Sequence, residues 1–250
     1  MKIAICLYGQ PRNYKKGYDV LSNFIHLNSS YDFDFFLHTW TIQENETYNV
    51  SPWRPIHKDE IVNTNIQEII HLYNPKSHEI ENQINTFDEQ LYIHSIAYNN
   101  THNQRQRNNI NNTLSQLYSK NKVRKLFNNY MNQTNTKYEA VIICRFDFMN
   151  EIQLDLSTID LNYVYTSFIG RSINIPNTSF CIMPVNIFIK WFNMFDNLLY
   201  TINNTELHEI VKKNNHIYTL NIEEIEVSHF IIYFGTTDII KYISNIPDFH

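Results

Sequence analysis

The sequence lacks the marks of several common protein classes. No stripe of Lys and Arg with interleaved aromatic residues is present, and the formal net charge of -5 at pH 7 gives no electrostatic footprint for nucleic acid. The three cysteines, Cys6, Cys144 and Cys181, are far apart, are flanked by apolar residues and fit neither a disulfide framework nor a zinc-binding spacing. We therefore expect no nucleic-acid partner and three buried, reduced thiols.

Segments that target a chain to or through a membrane are also missing. The apolar run from Met1 to Tyr8 is too short for the hydrophobic region of a signal peptide or for a membrane span. This pattern predicts a cytoplasmic protein with no transmembrane segment.

Several catalytic signatures are absent as well. The chain contains neither the GxGxxG pattern nor a P-loop, which argues against dinucleotide-binding and ATP-hydrolysing sites. It also contains no nucleophile elbow and no HExxH helix. The chemistry must therefore be sought in less familiar motifs.

What the chain does contain is enough apolar material for one well-buried core. It has 250 residues, a hydrophobic fraction of 43%, 17 Tyr and 16 Phe. Its first half alternates continuous apolar runs, typical of buried parallel strands, with segments whose apolar residues recur at helical spacing. We expect a single α/β domain over residues 1–250, with a Rossmann-type, mostly parallel sheet flanked by helices.

The same patterns give the bounds of the predicted elements. In the first half we predict strands over 2–8, 34–40 and 138–148, helices over 14–27 and 59–73, and a loop over 41–57. The polar stretch 99–113 is either a loop or the start of the next helix, and we favour a loop that runs into a helix near Asn112 and continues to 130. In the second half we predict strands over 161–169, 179–184 and 227–234 and helices over 185–200 and 206–213.

Polar residues follow three of these strands. The turn Gly9-Gln10-Pro11-Arg12 follows the first, His38-Thr39-Trp40 ends the second, and Arg145-Phe146-Asp147 ends the strongest strand of the chain. Ligands of open parallel sheets bind beyond the carboxyl ends of the strands. We therefore expect Gly9, Gln10, Arg12, His38 and Trp40 on one functional edge, where backbone N–H groups and a guanidinium suit a base or a phosphate.

Asp147 is the sharpest candidate for a metal ligand. Enzymes that cleave a sugar nucleotide need the charge of the leaving diphosphate neutralised, and a carboxylate at a strand end can hold the divalent cation that does this. His229, near a predicted late strand, is a candidate second ligand. The alternatives are that Arg145 and Asp147 pair with each other, and that His38 and His229 are ordinary core or surface residues.

Four segments together resemble a known family. AICLYGQPRNYKKGY, DFDFFLHTW, the helix with Ser115-Gln116-Leu117-Tyr118-Ser119, and YEAVIICRFDF occur in this order within residues 1–150. The combination resembles a group of GT-A-like glycosyltransferases of bacterial polysaccharide loci and large DNA viruses, with a GQPR-type turn, a D-x-F-x-H-T-W strand, an S-x-x-Y-S helix and an R-x-D strand end.

The resemblance implies a GT-A-like fold and a nucleotide-diphosphate-sugar donor such as a UDP- or GDP-sugar. Residues 1–150 would bind the donor and residues 151–250 would form the acceptor side, for a glycan or a lipid-linked acceptor. A lipid-linked acceptor would bring the protein to a membrane surface, and a viral chain would act in the host cytoplasm.

Carried over to this chain, the motifs assign residue roles. Ser115 and Ser119 would face the donor, and Asp147 would hold a divalent cation, Mn²⁺ or Mg²⁺. Arg145 stands where better-known GT-A enzymes have the first acid of a D-x-D pair. Because an arginine cannot ligate a metal, it would contact the diphosphate directly.

The chain departs from the pattern at a second place. Relatives tend to have an N-D-x-F arrangement before a Phe-containing strand, whereas this chain reads Asn177-Thr178-Ser179-Phe180. The missing acid is either a base on the acceptor side or a structural cap. If it is the base that takes the acceptor proton, either activity is weakened or its role passes to Glu206 or Glu209.

Three functions are compatible with these observations. The first is a glycosyltransferase, and the second is a catalytically inactive member of the same fold that binds a nucleotide or a glycan. The third, a nucleotidyl- or phosphotransferase, would also use a strand-end carboxylate with a metal, but the chain lacks a Lys-bearing phosphate loop.

Overall fold

The structure is a computed structural model that describes residues 1–41, 65–82, 87, 92, 94–99, 110–168, 176–214, 222–235 and 237–243. Helices and strands alternate through the first part of the chain. In order they are β1 (Lys2–Gly9), α1 (Tyr14–Leu27), β2 (Asp32–Thr41), α2 (Ile66–Tyr73), β3 (Ser77–Asn82), α3 (Ile96–Asn99), α4 (Ile110–Thr134) and β4 (Ala140–Arg145).

The second part begins with a short 3₁₀ helix and returns to the sheet three times. Its elements are a 3₁₀ helix (Leu156–Thr158), β5 (Val164–Phe168), β6 (Pro176–Met183), α5 (Val185–Trp191), a 3₁₀ helix (Met194–Asn197), α6 (Leu198–Asn203), α7 (Thr205–Lys213), α8 (Ile222–Phe234) and β7 (Ile240–Ile243).

Within the described ranges, seven strands form one sheet in the order β3-β2-β1-β4-β6-β5-β7. All neighbouring strands are parallel except where β6 pairs antiparallel with β4 and with β5. The predicted α/β class with a mostly parallel sheet is confirmed, and strands from both halves of the chain share this sheet. The division into a donor half and an acceptor half stays a prediction.

The central strands are buried on both faces, as their apolar sequences predict. On β1, Ile3, Ile5 and Leu7 face one layer, which includes Leu21 and Phe24 of α1. Ala4, Cys6 and Tyr8 face the other layer, which contains the apolar residues of α4, α5 and α8. The sheet therefore lies between two layers of helices, which cover both faces of its central strands. All three cysteines are buried and outside any disulfide, as expected.

The strand predicted over 227–234 was wrong, and two strands were missed. Residues 227–234, predicted as a strand, belong to helix α8, so His229 lies on a helix. The segment is apolar on nearly all sides, and a short buried helix cannot be told from a buried strand by periodicity. Strand β3 escaped prediction because its sequence, SHEIEN, is mostly polar, as suits the edge of a sheet. Strand β7 has only four residues.

The helix predicted over 185–200 is interrupted. The chain leaves α5 after Trp191, passes through the 3₁₀ turn Met194–Asn197 and enters α6. Within the turn, Asp196 accepts hydrogen bonds from Asn121 and Lys125 of α4, at 2.7 Å each. These tertiary contacts outweigh the helical periodicity of the local sequence.

Two predicted segments extend beyond what the structure describes. Residues 59–64 of the predicted helix 59–73, and most of the loops over 41–57 and 99–113, lie outside the described residues. No helix in the described part of the chain combines the length and apolarity that crossing a membrane requires.

Candidate functional site

The strand order reverses between β1 and β4, and the residues that follow these two strands form the candidate site. From β1 the chain moves outward to β2 and β3, then returns through α4 to place β4 on the other side of β1. Tyr8 of β1 is paired with Arg145 of β4, so the Gly9 turn and the Arg145-Phe146-Asp147 segment emerge side by side. Such a switch point, at the carboxyl ends of parallel strands, is where α/β sheets bind their ligands.

Asp147 is held by two arginines at this point. The Arg145 guanidinium forms a bidentate pair with it, with Nε 2.8 Å from Oδ1 and an η nitrogen 2.7 Å from Oδ2. Arg12, from the turn after β1, places an η nitrogen 3.3 Å from Oδ2. The sequence alternative in which Arg145 and Asp147 pair with each other is therefore realised, with Arg12 as a third member.

These three side chains are only partly covered. The exposed fractions are 31% for the Arg145 side chain, 17% for Arg12 and 15% for Asp147. Burial raises the pKa of the Asp147 carboxyl, but the charges of Arg145 and then Arg12 outweigh it, so the pKa lies below its ordinary value. The charge of Asp147 in turn raises the pKa of Arg145. All three groups are ionised at neutral pH.

The alternation of the segment after β4 explains its geometry. Phe146 and Phe148 are buried, and Phe148 stacks on Phe180 with ring centroids 5.2 Å apart. Arg145 and Asp147, at the intervening positions, can therefore pair with each other at the edge of the sheet. The two aromatic anchors fix the position of the charged pair.

Gly17 brings helix α1 against this segment. A Cβ atom at this position would lie 2.0 Å from the carbonyl oxygen of Phe146, closer than any real contact. Only glycine lets α1 approach so closely, and α1 begins directly after the turn that carries Arg12. The close approach therefore sets the distance between Arg12 and Asp147.

The Gly9 turn is fixed through both of its backbone polar groups. Gly9 has φ of 91°, in the region that favours glycine. Its N–H donates to Ser119 Oγ at 2.8 Å, and its carbonyl accepts from Thr39 Oγ1 at 2.9 Å. Two of the family-like motifs, the H-T-W strand end and the S-x-x-Y-S helix, thus hold the third, the G-Q-P-R turn.

His38 extends this chain of hydrogen bonds below the turn. Its Nδ1 lies 2.7 Å from Ser119 Oγ, and its Nε2 lies 3.0 Å from Glu81 Oε2 on β3. Because the Glu81 carboxylate can only accept, the ring hydrogen lies on Nε2, and Nδ1 accepts from the Ser119 hydroxyl. Burial lowers the pKa of His38, and Glu81 offsets this only in part. The ring is therefore neutral at pH 7.

Glu81, at the edge of the sheet, accepts hydrogen bonds from three side chains. Besides His38, it accepts from Tyr118 Oη at 3.2 Å and from Lys122 Nζ at 3.0 Å. Burial raises the pKa of Glu81, but these hydrogen bonds outweigh it and lower the pKa to about 2. Glu81 was not among the residues selected from the sequence.

The serines and aromatic residues predicted to face the donor have different surroundings. Ser119 and Trp40 are buried, and Trp40 stacks on Tyr118 with centroids 5.6 Å apart. Ser115, one helical turn before Ser119 on α4, is half-buried. Ser119 and His38 therefore support the turn from within the protein, and Trp40 packs against His38 with ring centroids 4.8 Å apart. A role for these residues in direct donor contact stays a prediction.

A second charged cluster lies beneath the site and is fully buried. Lys120 of α4 forms an ion pair with Glu226 of α8, and it donates to Thr178 Oγ1 at 2.8 Å. Lys120 Nζ also lies 4.7 Å from the centroid of the Tyr8 ring. The exposed fractions are 1% for the Lys120 side chain and 0% for Glu226. This cluster ties the first half of the chain to the second.

The candidate bases and the candidate histidine ligand lie on the later helices. Glu206 and Glu209 are exposed on α7, and Glu209 is 3.8 Å from Lys212. His229 is buried on α8, with Nε2 3.3 Å from Asn193 Oδ1, and burial lowers its pKa to about 3. Among the described residues, no group of three or more His, Cys, Asp and Glu side chains is placed to hold a metal ion.

Two open clefts occupy the opposite edge of the sheet, where the parallel strands begin. Each has a volume of about 670 Å³. The first includes Tyr138 and Pro184 in its lining, and the second includes Lys2 and Asp34. Neither cleft is lined by a residue of the candidate site.

Comparison with known proteins finds neither a protein-family model nor a curated protein that matches this sequence.

Several residues that shape the site were not selected from the sequence, although some left a signal there. Gly17 interrupts a helical pattern in a chain with only 4 glycines, and an isolated glycine inside a helix often marks a close packing contact. Glu226 is a single acid within an apolar run, and Lys120 falls between core positions of α4. A buried charge demands a partner, but only the fold reveals that these two residues are partners.

Proposed function

We propose that this protein is a glycosyltransferase that takes a sugar from a nucleotide-diphosphate donor, with its donor site at the Arg12, Asp147 and Arg145 cluster. The observation that carries the proposal is the convergence of two guanidinium groups at the switch point of the sheet. They come from two separate family-like motifs, the G-Q-P-R turn and the R-x-D strand end. A guanidinium offers paired N–H donors that match the oxygens of a phosphate.

The support from neighbouring motifs is geometric. Ser119 and Thr39 hold the Gly9 turn, and both belong to the remaining two motifs of the resemblance. Four short sequence patterns thus meet in one contact network at one edge of the sheet. A GT-A-like arrangement gives a single reason for all four, because each would shape the donor site.

In the proposed reaction, the bond between the anomeric carbon of the sugar and the diphosphate oxygen breaks. Its electron pair stays on the nucleoside diphosphate, whose growing negative charge faces the two guanidinium groups. An oxygen of the acceptor hydroxyl bonds to the anomeric carbon, and its proton passes to a base or to water. The acceptor is a glycan or a lipid-linked saccharide.

The acid missing from the N-D-x-F arrangement has a counterpart in space. Thr178, at the position of that acid, contacts both Lys120 and Glu226. Glu226 thus supplies a carboxylate next to Thr178 from a different element. Because Glu226 is buried and paired with Lys120, its role is structural, and the acceptor base is sought elsewhere, with Glu206 and Glu209 as candidates.

A binding protein of the same fold that does not turn over its ligand is the second candidate. It is favoured by the state of two carboxylates, since Asp147 and Glu81 are each paired with a cationic side chain that lowers the carboxyl pKa. A paired carboxylate is a poor proton acceptor. The two candidates share the donor site and differ only in whether the sugar is released from it.

The first test is thermal unfolding of the purified protein with UDP-, GDP-, CMP- and dTDP-sugars. A ligand that binds the folded state raises the melting temperature, so one nucleotide class should stand out. Release of the nucleoside diphosphate in the presence of candidate acceptors then separates the transferase from the binding protein. If no nucleotide sugar raises the melting temperature, the donor class proposed here is wrong.

A further inference from the structure

We infer that the donor diphosphate is bound without a divalent cation, by the guanidinium groups of Arg12 and Arg145, and that Asp147 positions these two groups. This inference rests on the proposed function, because it concerns how the same site holds its donor. It departs from the resemblance, which implies a cation on Asp147.

The geometry of Asp147 does not suit a metal ligand. Oδ1 accepts from Arg145 Nε, and Oδ2 contacts η nitrogens of both Arg145 and Arg12. To bind a cation, the carboxylate would have to give up these charge-assisted hydrogen bonds and bring the cation close to two positive side chains. Divalent cations such as Mg²⁺ and Mn²⁺ favour negatively charged oxygen ligands, whereas the groups around Asp147 are two positively charged guanidinium groups.

The charge of the cluster suits an anion instead. The formal charges of Arg12, Arg145 and Asp147 add up to +1, in a chain whose formal net charge is -5 at pH 7. Each guanidinium has five N–H donors, and the contacts with Asp147 use only part of those on Arg145. The Arg145 side chain is 31% exposed, so part of it is accessible to a ligand.

Asp147 is then a positioning residue. It holds the Arg145 guanidinium in a bidentate pair and draws Arg12 toward it from across the β1–β4 junction. Two arginines fixed in this way lose little freedom when a ligand binds, and fixed donors stabilise developing charge better than mobile ones.

The experiment is calorimetric titration of the nucleotide sugar that raises the melting temperature, once in EDTA and once in Mn²⁺. Inorganic pyrophosphate in EDTA is titrated as a second probe that needs no base or sugar. The variants are Arg12→Met, Arg145→Met and Arg145→Lys. Lys15→Met is the matched control, since Lys15 is exposed on the first turn of α1 and pairs with Glu68 at 2.7 Å.

The inference expects the donor to bind as tightly in EDTA as in Mn²⁺, within about twofold. Each Arg→Met variant should weaken binding in EDTA by about 10- to 100-fold, since charge-assisted hydrogen bonds to phosphate are lost. Lys15→Met should leave binding unchanged within about twofold. Arg145→Lys keeps the positive charge but loses the paired N–H donors of the guanidinium, so it should weaken donor binding less than Arg145→Met does. Thermal unfolding of each free variant shows whether it is folded.

The contrary outcomes separate this inference from the proposed function. Donor binding that requires Mn²⁺, with the Mn²⁺ enhancement lost in Asp147→Asn, overturns cation independence and leaves the transferase proposal standing. Pyrophosphate binding in EDTA that depends on Arg12 and Arg145, without binding of any nucleotide sugar, supports the anion site and rejects the donor class. Failure of both probes to bind in EDTA overturns the inference.

Discussion

Two charged clusters lie near Tyr8, and they differ in burial and in formal charge. The cluster of Lys120, Thr178 and Glu226 is buried and balances one positive with one negative charge. The cluster of Arg12, Asp147 and Arg145 is partly exposed, and the formal charges of its three side chains add up to +1. The first cluster is closed to solvent, whereas the second includes a partly exposed Arg145 with N–H groups that do not bond to Asp147.

The difference shows that an ion pair is evidence for a site only together with its surroundings. A buried, balanced pair joins parts of the fold, and breaking it leaves an uncompensated charge. A partly exposed cluster with a net positive formal charge, at the point where the strand order reverses, is suited to bind an anion. Changes in the first cluster should therefore act on stability, and changes in the second on binding.

The largest expected effect is on the buried cluster. Lys120→Met leaves Glu226 buried without a counter-charge and should lower the free energy of unfolding by about 3 to 5 kcal/mol. The double variant Lys120→Met, Glu226→Met should recover most of that loss, because the buried charges are then removed together. Urea denaturation followed by circular dichroism measures both.

A lysine on the same helix gives the control for this prediction. Lys125 pairs with Asp196 at 2.7 Å, but 48% of its side chain is exposed. Lys125→Met should change the free energy of unfolding by less than about 1 kcal/mol. Equal losses in the free energy of unfolding for Lys120→Met and Lys125→Met would contradict the claim that burial makes the Lys120 pair important for stability.

The next effect concerns the contact between Gly17 of α1 and Phe146, which lies between Arg145 and Asp147 in the chain. Gly17→Ala places a Cβ atom against the Phe146 carbonyl and should cost about 1 to 3 kcal/mol through overpacking. It should also weaken donor binding, because α1 must move away from Asp147 and carry Arg12 with it. Lys16→Ala, at the adjacent exposed position, should leave both stability and donor binding unchanged. If Gly17→Ala lowered stability without weakening donor binding, the position of α1 would not determine the geometry of the site.

A smaller effect is expected beneath the Gly9 turn. Ser119→Ala removes the acceptor of the Gly9 N–H and the neighbour of His38 Nδ1, which should cost about 1 to 3 kcal/mol. Ser115→Ala, at a half-buried position one turn away, should cost less than about 0.5 kcal/mol. Donor binding should fall in Ser119→Ala because the turn is released. Equal losses in the free energy of unfolding for the two serine variants would argue against Ser119 as the support of the turn.

The smallest effect is a pH dependence at the edge of the sheet. The pKa of Glu81 falls from 4.5 to about 2 on folding, so its contribution to stability is complete above pH 4.5 and is lost as the pH falls through about 2. Glu81→Gln should therefore show a shallower loss of stability over this acid range than the parent protein. Glu209→Gln, on an exposed helix, should keep the parent slope, and denaturant midpoints measured from pH 5 to pH 2 compare the three proteins.

Much of the first half could be predicted from the sequence, because local and global signals agree there. The apolar run of β1 is buried on both faces, and the helical spacing over 14–27 coincides with α1. In the second half they disagree. Apolar residues on all sides of α8 hid its helical period, and Asp196 ended a predicted helix by bonding to α4.

The site could be predicted as a set of motifs but not as a set of contacts. The sequence placed Gly9, Arg12, Arg145 and Asp147 at one edge, since parallel strands end together. It could not show that Asp147 has two arginines on its oxygens, because Arg12 and Asp147 are distant in sequence. The pairing depends on how closely α1 approaches Phe146, and only the packed structure determines that.

The most direct test of the central claim is a crystal structure of the protein with UDP or GDP, grown in EDTA. The account predicts the diphosphate within about 3 Å of the guanidinium groups of both Arg12 and Arg145. A nucleotide bound instead in either cleft at the opposite edge of the sheet, with both arginines engaged only with Asp147, would contradict it.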